Sequence, residues 1–252
     1  MGIREEAFTG LASYDHGIQD MLLESLRKDV LEANLELVRR GLVLYTFGNV
    51  SGIDRREGLV AIKPSGVPYE EMTWEQIVIS DLHGKIVDGS LRPSSDLATH
   101  LELYKNFGNI GGVAHTHSEY ATAWAQAEKA LPCFGTTHAD YFHGAVPVTQ
   151  RLSPSEINGD YELETGIAIC RVFQKLDPDA IPAVLVAGHA PFCWGKNAAE
   201  AAHNAVILEY VARLACHALR INAEVQPLAQ ELHDKHFLRK HGRHAYYGQE
   251  KN

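Results

Sequence analysis

The stretch GGVAHTHSEY, residues 111–120, constrains the folding of this chain more than any other segment. The apolar run from Ile110 reads as a strand, in which successive side chains point to opposite faces. Gly111 and Gly112 inside that run predict a close approach of another backbone. At the other end, alternation places the imidazoles of His115 and His117 on one face. Ser118 then opens a helix-like pattern. Two imidazoles on one face of a strand end can grip one divalent ion. The chain holds 14 His in 252 residues, so chance alone supplies about one His-x-His pair. On the pair by itself, a metal site and a coincidence are equally open.

No linker, charge block or low-complexity tract divides the sequence, and no period of 20–50 residues repeats. Residues 21–252 read as one domain, preceded by an extension over residues 1–20. No apolar run approaches membrane-spanning length, and the N-terminus MGIREEAFTG lacks a signal-peptide core. Cys133, Cys170, Cys193 and Cys216 form no C-x-x-C pair and read as free thiols of a reducing, cytoplasmic compartment. A net charge of -9 argues against nucleic-acid binding. The basic tail from Lys235 to His244 is a local exception, read either as a solvated helix face or as an anion site.

Apolar residues recur at helical spacing from Ile18 to Arg40 (Leu22, Leu26, Val30, Leu35, Val38), and Gly41 follows as a stop. Leu59–Lys63 predicts a strand ending in the turn PSG. A helix is expected over Leu97–Phe107. The capping box SPSE at Ser153 begins another, restarting after Gly159 and running to about Lys175. Ala183–Ala187 reads as a strand and Asn197–Leu219 as a long Ala-rich helix with Asn197 as N-cap. A last helix, near Leu228–His241, stops at Gly242. The mixture predicts a central sheet covered by helices on both faces.

The sequence lacks G-x-G-x-x-G after a strand, a P-loop, a G-x-S-x-G elbow and H-E-x-x-H, which weakens several large enzyme classes. His189, after an apolar run, is a third possible ligand or an ordinary surface His. Asp96 in RPSSD is a carboxylate ligand or simply a helix N-cap. GNVSG around Asn49, KPSG at 63–66 and PSSD at 93–96 read as small polar turns that can offer N–H groups and hydroxyls to a phosphate. Asp140, flanked by Ala139, Tyr141 and Phe142, is expected to have a raised pKa if it serves as acid or base, and to be a plain loop carboxylate otherwise. Tyr246 and Tyr247 are ambiguous between packing and function.

Taken in order, GNVSG, IKPSGV, PSSD, GGVAHTHS, GTTHADYF, EINGDYE-ETG, GHAPFCWGKNA and DKHFLRKHG-AYYGQ resemble the epimerase group of the class II aldolase and adducin-head superfamily. The resemblance runs from about Met21 to Gln249. It implies a three-layer α/β/α fold with a mainly antiparallel central sheet and a divalent metal, Zn²⁺ or an alternative such as Mn²⁺. By motif position it implies Asp96, His115, His117 and His189 as metal ligands. It implies substrate and phosphate contacts from Gly48, Asn49, Lys63, Ser65, Gly66, Ser94 and Ser95, an acid/base pair of Asp140 and Tyr247, and phosphate contacts from His236 and Arg239. It further implies a homotetramer with sites between subunits, Tyr247 serving a neighbour. Where the family often has two His before the third ligand, this chain has Ala187-Gly188-His189, leaving His189 alone.

The implied substrate is a phosphorylated ketopentose, L-ribulose 5-phosphate, converted to D-xylulose 5-phosphate as in arabinose catabolism. Its C4 carries no acidic proton, so deprotonation cannot invert it. Cleaving and re-forming the C3–C4 bond can, with a Lewis acid to stabilise the enediolate and separate acid/base groups on the two sides. Asp at position 96, where aldolases of the superfamily commonly carry Glu, favours the epimerase. The rival readings are a sugar-phosphate aldolase and a non-catalytic, adducin-like association domain, which would lack the ligands.

Overall fold

Alternation along the strands sorts the apolar side chains into two separate cores. The computed structural model describes residues 22–243 and 245–248, so the expected N-terminal extension, the first residues of the first helix and Gln249 lie outside the description. One sheet contains β1 (Asn49–Asp54), β2 (Leu59–Ile62), β3 (Val78–Asp81), β4 (Ile86–Asp88), β5 (Gly112–His115), β6 (Ala183–Leu185) and β7 (Pro191–Gly195). The strand order is β4-β3-β2-β1-β5-β7-β6, and every neighbouring pair is antiparallel. Val60 and Ile62 of β2, Val113 of β5, and Phe192 and Trp194 of β7 enter one core. Their neighbours Ala61, Ala114 and Cys193 enter the other.

The helices are α1 (Glu24–Arg39), α2 (Leu97–Asn106), α3 (Glu119–Gln126), α4 (Thr136–Ala139), α5 (Pro154–Asn158), α6 (Tyr161–Val172), α7 (Ala198–Ile221) and α8 (Gln230–His241). Helices α1, α3 and α7 cover one face of the sheet, and α2 and α6 cover the other. The result is the expected α/β/α sandwich with an antiparallel sheet.

Helix α1 stops as the sequence predicts. Gly41 adopts φ 69°, its N–H bonds Val38 O at 2.9 Å, and Leu42 N–H reaches back to Leu37 O at 2.9 Å. Its buried face differs from the expected apolar stripe. Arg27, Val30, Ala33, Asn34 and Leu37 are inside, whereas Leu22 and Val38 are exposed. Asn34 is buried because it completes the backbone of β1: its amide donates to Val50 O at 3.1 Å and its oxygen accepts from Val50 N at 2.9 Å. A buried polar side chain with its bonds satisfied costs little.

The glycine pair of β5 behaves as its sequence predicts. A Cβ on Gly111 would overlap the Lys196 carbonyl, and one on Gly112 would overlap the Asn197 carbonyl. Asn197 caps α7 by accepting from Glu200 N at 2.8 Å, so the glycines let the start of that helix lie directly on β5. The SPSE box also forms, with Ser153 and Glu156 bonded reciprocally.

GNVSG is corrected from turn to strand. Asn49–Gly52 lie in β1, paired with β2 on one side and β5 on the other. A strand this rich in small and polar residues gives no alternating apolar signal. Its polar side chains are satisfied: Ser51 Oγ contacts His100 Nδ1 at 2.7 Å and Tyr104 OH at 2.8 Å. All four cysteines are free thiols, with Cys133 and Cys193 buried and Cys170 and Cys216 less so. No helix among the described residues is long and apolar enough to cross a membrane.

Candidate active site and metal centre

The sheet register brings the chemistry together at one end. Asn49 at the start of β1 pairs with His115 at the end of β5, and His115 pairs with Phe192 at the start of β7. The Phe192 ring stacks on His115, with centroids 4.2 Å apart and planes 20° apart. Gly48 precedes β1 with φ 76°, and a Cβ there would lie 2.8 Å from His115 O. Only glycine meets both demands.

His115, His117 and His189 each offer a ring nitrogen within 4.8 Å of the others. His117 lies just beyond the strand, yet its Nε2 returns to 3.1 Å from His115 Nε2. His115 Nδ1 lies 2.9 Å from Pro191 O. A carbonyl only accepts, so Nδ1 carries the proton and Nε2 keeps its lone pair for the cluster. Burial, followed by repulsion from His115, lowers the pKa of His117. Burial and the neighbouring His115 and His117 push His189 down to about 4. Both rings are therefore neutral at physiological pH, the form that binds metal.

Asp96 stands beside the triad but outside that tight set of donor atoms. It is the N-cap residue of α2, but its side chain makes no capping bond to the helix. Instead Oδ2 accepts from Asn49 Nδ2 at 2.6 Å and from Ser94 Oγ at 3.4 Å. Burial alone would raise its pKa, but His115, His100, the Asn49 amide and His189 outweigh it and hold the group below its ordinary value. Three imidazoles next to an ionised carboxylate form a donor set suited to Zn²⁺ or a similar divalent ion.

The opposite wall is made by the two remaining turns, which are hydrogen-bonded to each other. Ser65 N–H donates to Arg92 O and Ser94 N–H donates to Lys63 O, both at 2.9 Å. A cavity of about 550 Å³ runs between this wall and the triad. Gly48, Asn49, Lys63, Ser65, Gly66, Ser94, Ser95, Asp96, His115, His117 and His189 all line it. Lys63 is 1 % exposed. Its Nζ is held by the carbonyls of Val67 (3.1 Å) and Pro64 (3.3 Å) and lies 4.7 Å from the centre of the Tyr69 ring. Burial pushes this amine down to about 8.

Asp140, Tyr247, His236 and Arg239 do not line this cavity within the chain. They form a second group. Asp140 follows the short helix α4 and accepts from Arg239 on α8 at 2.8 and 3.1 Å, with His236 Nδ1 at 3.0 Å. The guanidinium of Arg239 lies 4.9 Å from the centre of the Tyr247 ring. The expected rise in the Asp140 pKa is overturned. Burial does push it up, but Arg239, His236 and Lys240 together bring it below its ordinary value. The sequence placed apolar neighbours beside Asp140 and could not reveal that α8 docks its cations there. Part of the basic tail therefore does bind an anion, a carboxylate of its own chain.

Tyr161 and Glu162 also line the cavity and were given no role by the sequence reading, although EINGDYE carried them as part of a motif. Tyr161 OH lies 3.1 Å from His189 Nδ1. His100 was missed as well. It lies one turn after Asp96 on α2, and burial drives it down to about 3.

Fold and site together define a member of an aldolase-type family: the chain belongs to the Class II Aldolase and Adducin N-terminal domain family, which it matches over residues 28–216. It is 53% identical over 227 residues to L-ribulose-5-phosphate 4-epimerase UlaF of Salmonella paratyphi B, covering 90% of this chain and 100% of that protein. The Salmonella typhi protein of the same name shows the same identity and coverage. Among solved structures, an L-fuculose 1-phosphate aldolase superposes with a TM-score of 0.73 at 27% identity, over 86% of this chain and 96% of that one.

Proposed function

We propose that the chain is a zinc-dependent L-ribulose-5-phosphate 4-epimerase, interconverting L-ribulose 5-phosphate and D-xylulose 5-phosphate. The 53% identity to the UlaF epimerases along their whole length carries this reading. The geometry supports it: one cavity has a metal-type donor set on one wall and Lys63 with two polar turns on the other. Asp96, His115, His117 and His189 would hold the ion, with Zn²⁺ favoured by the three imidazoles and Mn²⁺ an alternative. When bound, such an ion supplies Lewis-acid stabilisation to negative charge developing on the sugar oxygens.

In this reading Lys63 and the Ser65, Gly66, Ser94 and Ser95 turns bind the phosphate and keep the aldehyde fragment from escaping. Asn49 and Gly48 orient the sugar. The C3–C4 bond breaks as the C4 hydroxyl gives up its proton, the fragment turns, and the bond re-forms as the opposite face regains one. Asp140 and Tyr247 are the acid/base groups for the two sides. Because they sit outside this chain's own cavity, we assign them to a neighbouring subunit's site in a homotetramer. His236 and Arg239 would then bind the phosphate across the interface. Residues 21–252 act as one catalytic domain, in the cytoplasm, with arabinose catabolism as a fitting pathway.

Incubation of the zinc-loaded protein with L-ribulose 5-phosphate, assayed for D-xylulose 5-phosphate, tests the proposal, and absence of product defeats it. The likeness to L-fuculose 1-phosphate aldolase keeps a second reading in view, a lyase releasing its fragments. Glycolaldehyde phosphate accumulating in step with sugar loss would establish that alternative.

A further inference from the structure

Among the described residues, His189 alone of the three imidazoles in the triad has its second nitrogen facing a hydroxyl. His115 Nδ1 is committed to a carbonyl, Pro191 O, and its tautomer is fixed by that bond. His189 Nδ1 faces Tyr161 OH at 3.1 Å. A phenol can donate or accept, so this bond can run in either direction. Tyr161 is the first residue of α6, half-buried and on the cavity wall.

We propose that Tyr161 is a positioning residue for the metal centre whose hydroxyl is fixed as an acceptor when an ion binds. With Nε2 of His189 given to the ion, the ring's one proton must sit on Nδ1, and Tyr161 must accept it. The Tyr161 hydrogen, not used by His189 in that state, then points into the cavity. There it donates to an oxygen of the bound sugar phosphate. One side chain thus fixes the ligand's orientation and links ion loading to substrate binding. The inference rests on the metal-site reading above, but its readouts do not require the proposed reaction.

The variant Tyr161→Phe removes only the hydroxyl and keeps the ring. Zinc affinity, measured by competition with a chromophoric chelator, is expected to weaken about 10- to 100-fold. Affinity within twofold of the unaltered protein overturns the proposal. A merely structural role would lower the melting temperature of the metal-free protein and leave zinc affinity unchanged. In the unaltered protein, nitrogen-edited NMR of the His189 ring in the zinc-loaded state should show the proton on Nδ1. A proton on Nε2, with Nδ1 bound to zinc, overturns the proposal independently. With the variant reloaded at saturating zinc, KM for L-ribulose 5-phosphate should rise more than kcat falls. If the unaltered protein binds zinc but forms no D-xylulose 5-phosphate, the functional reading fails while the two metal readouts still decide the role of Tyr161.

Discussion

Asp140 and Arg239 are 99 positions apart in sequence and joined by two hydrogen bonds, of 2.8 and 3.1 Å. The pair ties α8 to the segment after α4, with His236 and Lys240 adding to the same carboxylate. A proposed proton-transfer group is thus held ionised by the tail that also carries its proposed partner, Tyr247. Asp140→Asn should retain the metal and the sheet with the helices packed on it, while turnover falls roughly 100-fold or more. Steady-state kinetics beside metal analysis check this, and near-normal turnover would remove Asp140 from the acid/base role.

The same pair sets a pH dependence. The folded Asp140 pKa is lowered, so its stabilising contribution is fully present above the unfolded value of about 3.9. It is lost as the pH falls through the lower folded value. The protection of α8 amides relative to intrinsic exchange should therefore be high at neutral pH and fall in acid, and Asp140→Asn should show low protection at both. Protection in the variant equal to that of the unaltered protein at neutral pH would show that this carboxylate does not hold the helix.

His117→Ala should lose most of its affinity for the ion, since it removes one of the three imidazole nitrogens that lie within 4.8 Å of one another. Metal content after gel filtration is the measurement. Full occupancy would contradict the assignment of His117.

Lys63, pushed down to about 8 by burial, carries its charge at neutral pH and loses it as the pH rises through that value. KM for the sugar phosphate should rise across this range, while Lys63→Met should show a high KM with no such step. A KM profile in the variant that still bends near the same pH would assign the step to another group.

Gly112→Ala should destabilise the protein by about 1–3 kcal/mol or more, because the new methyl meets backbone rather than a movable side chain. Gly108→Ala, with nothing within 4 Å of the added atom, serves as the control. Equal thermal midpoints for the two would refute a close backbone contact at residue 112.

Legibility from sequence was uneven, for physical reasons. The stop at Gly41, the Ser153 box and the cap at Asn197 are local features, set by neighbours in the chain, and all appear as expected; the glycine pair signalled a distant backbone contact because only a missing side chain permits one. The triad was readable as residue types at strand ends, though only the sheet register brings His189 beside the pair. β1 was hidden because its stability comes from Asn34 on α1 and from Ser51 bonded to α2, not from apolar alternation. The low pKa of Asp140 was hidden because its cause lies on α8. Long-range electrostatics leave no periodic trace in a sequence.

The glycine pair of β5 also acts as an index mark. Only residues 111 and 112 can pass beneath Lys196 and Asn197, so the strand cannot slide along its neighbours by one position. A slip of one residue would reverse every side chain on β5. Ala114 would enter the layer now holding Val113, and His115 would turn away from Asn49 toward the α1 and α7 side. Two hydrogen atoms, in place of two methyl groups, thus set the address of a proposed metal ligand three residues downstream.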